Sequence, residues 1–148
     1  MSEVRQCWPV LVQKAQAQVD VQRTRVAQAW TVVQQRHDHW ASIQRMLGEY
    51  RQRYMDTQRN NHSVSDTMNY RAFIGQLQTL SVRAEEEMVQ AKVVHQQAHK
   101  AMAEAEKELR KMTKLTELDA ERALSRERVQ EQRRMDEMAV MRHQWRQA

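Results

Sequence analysis

RNNHSVSD, residues 59 to 66, is the one stretch of this 148-residue chain in which turn-forming side chains crowd together. Asn60, Asn61, Ser63 and Ser65 can each hydrogen-bond their own backbone, which favours a bend over a continuing helix. The whole chain holds only two glycines and one proline. Strands and tight loops therefore lack the turn residues they need at regular intervals, and long helices remain. The chain reads as two helices joined at one bend. Ser63, with Asp66 three residues later, offers a start like a capping box for the second helix, and Ser65 competes for the cap.

Upstream of the bend every seventh residue is apolar: Val12, Val19, Val26, Val33, Trp40, Leu47 and Tyr54. The row three residues on, Ala15, Gln22, Ala29, Arg36, Ile43 and Tyr50, is apolar at all but Gln22 and Arg36, so a coiled-coil seam with polar breaks is expected. This predicts a first helix from about Val4 to Gln58. Pro9 is tolerated in its first turn, and Gly48 weakens it by about 1 kcal/mol against alanine. Downstream, Tyr70, Leu77, Ala84, Ala91, Ala98, Ala105 and Met112 form a second row, accompanied by Ile74, Ser81, Met88, His95, Met102 and Leu109. A second helix is expected from about residue 66 to 145. Folding back at about residue 62 sets positions whose numbers add to about 124 opposite one another. Trp40 then faces Ala84, and Val33, Val26 and Val19 face Ala91, Ala98 and Ala105; large against small fills such a seam without voids.

In that register the first helix is exhausted while the second continues, so the expected fold is all-α: a long two-helix antiparallel coiled-coil hairpin with a C-terminal helical overhang. Residues 1–148 are read as a single coiled-coil domain. From Glu121 onward the tail carries seven arginines and five acids around a fresh apolar stripe, Leu124, Met135, Met138, Met141 and Trp145, with no partner expected within the chain. Methionine repacks easily and arginine is favoured at interfaces, so the stripe suits contact with another protein. At the bend end Trp40, Tyr50, Tyr54, Tyr70 and Phe73 exceed what one seam can bury, and a partly exposed aromatic patch marks a second binding surface.

The net charge of +5 comes from 24 basic residues interleaved with 19 acidic ones, a mixed surface that gives little continuous phosphate neutralisation; no nucleic-acid partner is expected. The single cysteine, Cys7, suits a reducing compartment. The start MSEVRQCWPV has no signal-peptide pattern, and no apolar run approaches a membrane span, so the expected location is cytoplasmic, with any membrane association peripheral. His37 and His39 project to different sides of a helix, and the run Glu85 to Glu87 reads as a solvated face. His95 and His99 have the one spacing that suits a shared metal, but no third ligand accompanies them. With no phosphate-binding glycine loop and no nucleophile in a shaped pocket, no catalytic residue, metal or cofactor is expected.

LGEYRQRYMD from Leu47, NYRAFIGQLQTL after the bend and QEQRRMDEMA at Gln130 to Ala139 together resemble the FliJ family of flagellar export proteins. The specific elements are Tyr50, the pattern Asn69-Tyr70-x-x-Phe73-Ile74-x-x-Leu77, and Arg133-Arg134-Met135-Asp136-Glu137. The chain departs from the family pattern at Met46 and in a bend without glycine. The resemblance implies a non-enzymatic component of the flagellar type III export apparatus, similar to the central stalk of rotary ATPases. It implies that the end bearing both termini binds the hexameric export ATPase ring and promotes its assembly and activity. It further implies contact of the hairpin with the cytoplasmic region of the export gate, escort of empty export chaperones, and a place at the cytoplasmic face of the inner membrane. Tyr50, Phe73 and Leu77 become gate-contact candidates, and Arg133, Arg134, Met135, Asp136 and Glu137 ATPase-contact candidates. The alternatives are a virulence type III secretion stalk, a general coiled-coil chaperone or escort, and a coiled coil that oligomerises through its tail stripe.

Overall fold

A computed structural model describes residues 7–60 and 63–148. Two helices account for nearly all of them: α1, Cys7–Arg59, and α2, Val64–Gln147. They pack on one another as an all-α hairpin, and no strand occurs among the described residues. The expected helical turn from Val4 to Gln6, and Asn61 and His62 of the expected bend, lie outside the described residues. α2 starts at Val64, two residues earlier than the turn-forming pattern predicted, and Ser63 caps it. The Asp66 amide donates to Ser63 Oγ at 3.3 Å, and the Thr67 amide to the Ser63 carbonyl at 3.3 Å. Ser65 is thereby inside the helix, leaving Ser63 as the cap.

The chain divides into two compact units, the first made of residues 22–102. Its seam is the one that the heptads describe. Ala29, Val33, Ile43 and Leu47 of α1 are buried, as are Leu77, Ala84, Met88 and Ala91 of α2. Ile43, Leu47, Leu77 and Ala84 form a tight cluster on which Trp40, Tyr50, Phe73 and Ile74 pack. The antiparallel register follows from the pairs that meet across it. Arg36 donates to Glu87 at 3.2 Å, Gln44 Nε2 to Ser81 Oγ, and the Trp30 and His95 rings lie 5.3 Å apart. In each pair the residue numbers add to within one of the expected 124.

Two of the polar breaks in the rows, Arg36 and Ser81, are therefore not defects. Ser81, buried on α2, accepts the Gln44 amide, and Arg36 reaches past the seam to Glu87. Glu87 also lies 4.0 Å from Arg83 on its own helix. One residue of the acidic run expected to be merely solvated thus bridges the two helices, because the register brings it beside the arginine that interrupts the α1 row. Exposed at nearly half of each side chain, this pair is worth about 0–1 kcal/mol and favours register more than stability.

The second unit joins described residues 7–21 of α1 to residues 103–148 of α2. Val19 is fully buried there, with Ala105 and Ala123, while Val12, Ala15, Leu109, Met112 and Leu115 are half-buried. Every residue of α2 after Ala123 is exposed, so the expected overhang begins at Leu124.

Candidate partner-binding surfaces

In the unit of residues 22–102, helical spacing brings Tyr50 of α1 against two α2 rings. Its ring centroid lies 4.5 Å from that of Phe73 and 6.3 Å from that of Tyr70, both tilted, the arrangement that ring quadrupoles favour. The Arg53 guanidinium sits 5.1 Å from the Tyr50 ring centroid, one turn further along, within cation–π range. These rings, with Thr57, Asp66 and Asn69, border an open hollow of about 620 Å³. Tyr50, Tyr70 and Phe73 are all half-buried, so the excess of aromatics noted in the sequence is divided between seam and surface.

Of the three gate-contact candidates, Tyr50 and Phe73 touch each other and face the hollow. Leu77 does not reach it: at 3% exposure it belongs to the cluster with Ile43, Leu47 and Ala84 and supports the rings from beneath. Arg53 and Thr57 were not singled out beforehand. Thr57 continues the row that runs through Ile43 and Tyr50, and Arg53 stands three residues from Tyr50, so simple helical spacing points to both.

The second surface is the end of α2. Arg133, Arg134, Met135, Asp136 and Glu137 are all exposed and consecutive on one helix. Successive side chains there point about 100° apart, so these five cover its whole circumference. Asp136 accepts from Gln132 Nε2 at 3.1 Å, a contact on its own helix. Nearer the end Met138, Met141, Arg142, Trp145 and Arg146 border a shallow hollow of about 560 Å³, and Arg122, Ser125, Arg126 and Val129 border another of about 350 Å³. The expected stripe is present and uncovered: Leu124, Met135, Met138, Met141 and Trp145 are all more than half exposed.

His37 lies against Trp40, with ring centroids 6.1 Å apart, and His95 against both Trp30 and His99, the latter at 4.7 Å. Among the described residues no three His, Cys, Asp or Glu side chains gather as a metal would require, and no helix is long and apolar enough to cross a membrane.

A family model described as "Flagellar FliJ protein" matches residues 9–148. No curated protein and no solved structure matches the chain. The match takes in the bend, the aromatic hollow and the exposed end of α2, and spans nearly the whole sequence. The chain therefore belongs to the FliJ family, components of the flagellar protein export apparatus.

Proposed function

We propose that this chain is a non-enzymatic coupling component of the flagellar type III export apparatus. The end of α2 enters the hexameric export ATPase ring and promotes its assembly and hydrolysis, while the aromatic end contacts the cytoplasmic region of the export gate. It acts in the cytoplasm, at the inner face of the inner membrane, without a cofactor.

The observation that carries this reading is the exposure of every residue of α2 from Leu124 onward. A helix that docks on one flat partner needs one adhesive stripe. A helix inserted into a ring meets protein on every side, and the residues from Arg133 to Glu137 offer cation, thioether and carboxylate around the full turn. Arginine supplies planar, multidentate donors for acidic or carbonyl groups of such a lumen, and methionine adapts to apolar parts of it. At the gate end Tyr50 and Phe73 supply rigid aromatic area, backed by Leu77, and Arg53 adds a charge at its rim.

The test is the hydrolysis rate and ring population of the cognate export ATPase, with this protein and with an Arg133→Glu/Arg134→Glu variant of equal helicity. Stimulation by the first, weaker by on the order of tenfold or more with the second, is expected from reversing two interfacial charges. No stimulation by the unaltered protein refutes the ATPase assignment. A second reading, escort of empty export chaperones, draws on the exposed hollow of Met138, Met141 and Trp145. It predicts that purified chaperone without cargo binds the protein and competes with the ATPase for α2.

A further inference from the structure

Three thioethers stand within seven residues on the exposed end of α2: Met135, Met138 and Met141, exposed by 61%, 56% and 63%. Met88, in the seam, is exposed by 8%. A thioether reacts with peroxide according to its access to solvent, and its sulfoxide is strongly polar, so such a cluster changes character on oxidation while the seam does not. Two of the three, Met138 and Met141, border the hollow shared with Trp145, Arg142 and Arg146.

We propose that Met135, Met138 and Met141 form an oxidation-sensitive patch whose conversion to sulfoxides weakens the docking of α2 in its partner. This rests on the reading that this stretch enters the ATPase ring. In each step the sulfur lone pair attacks one oxygen of hydrogen peroxide, the O–O bond breaks and an S=O bond forms. The sulfur loses two electrons; the other peroxide oxygen accepts them and leaves as water, taking up the proton released from the transferred oxygen. A methionine sulfoxide reductase reverses the change at the expense of a thiol pair: the S=O bond breaks, the thiols become a disulfide, and the oxygen leaves with their two protons as water. The sulfoxide oxygen must be desolvated wherever the partner surface is apolar, and an unmatched polar group there costs binding free energy. The hairpin seam keeps its apolar contacts, so helicity persists through the switch.

Met46, Met55 and Met68, exposed in the unit of residues 22–102, provide the internal control. The experiment treats the full chain with graded hydrogen peroxide and maps sulfoxides by peptide mass spectrometry. It measures stimulation of the export ATPase before treatment, after treatment, and after incubation with sulfoxide reductases. We expect sulfoxides at 135, 138 and 141 well before 88. The concentration for half-maximal stimulation should rise by on the order of tenfold, the equivalent of about 1.4 kcal/mol, and return on reduction. A Met46→Leu/Met55→Leu/Met68→Leu variant should lose stimulation on oxidation to the same extent. Resistance of that variant assigns the lesion to Met46, Met55 and Met68 and overturns the proposal, as does full stimulation by protein oxidised at all three tail positions. In both cases the ring assignment stands. Failure of the untreated protein to stimulate refutes that assignment, and this proposal with it.

Discussion

At Leu77 and Gly75 two neighbouring residues of α2 have opposite prospects. Leu77 fills the space between Ile43, Leu47 and Ala84 and carries the rings of Tyr50 and Phe73. Truncation to alanine removes three carbons from a site that a stiff helix pair cannot collapse, and should lower stability by about 2–5 kcal/mol. Chemical denaturation followed by circular dichroism measures this, and a loss below about 1 kcal/mol contradicts the packing described. Gly75 is helical, and a Cβ built on it meets nothing within 4 Å. Gly75→Ala should therefore stabilise by about 0.5–1 kcal/mol through reduced freedom of the unfolded chain and better helix propensity. Gly48 has equally open surroundings, and the same gain is expected there. Any fall in stability on either substitution counts against the helix geometry at these positions.

At the scale of elements, the exposed end of α2 is the unusual part. Every residue of it is exposed, yet it lacks the composition of a disordered tail; methionine, valine, alanine and a tryptophan alternate with charges at helical spacing. A helix without tertiary packing draws its stability from propensity and pairs four residues apart, such as Gln132 with Asp136 and Gln147 with His143. Deleting residues 124–148 should leave the seam intact, so the unfolding free energy of the remaining chain should stay within about 0.5 kcal/mol of the original. It should abolish stimulation of the export ATPase. If deletion destabilises the hairpin strongly, the end of α2 packs on it in solution and is not free for a ring.

For the molecule as a whole, we propose that residues 1–148 behave as one coiled-coil domain, because both helices run without interruption through both compact units. One thermal transition, the same by helicity and by tryptophan fluorescence, is the expected outcome. Two separated transitions would make each unit a domain in its own right.

Much of the fold was legible because few glycines and prolines leave little but helix, heptads name the buried face of each, and one turn-rich octapeptide names the bend. The opposed Val and Ala rows even convey the register, since a slip of one heptad would bury polar side chains. The exposed stripe after Ala123 was legible from the same register, because the described part of α1 begins at Cys7 and its row at Val12. Other features depend on distances between chain segments that periodicity does not contain. A heptad row assigns Tyr50 and Leu77 alike to the seam, but only packing decides that Tyr50 lines a hollow with Phe73 while Leu77 is sealed beneath it. Likewise, a sequence shows Arg36 and Glu87 as a seam interruption and a surface acid. Their meeting at 3.2 Å is decided by how far the two side chains reach across two helix axes brought close by small seam residues.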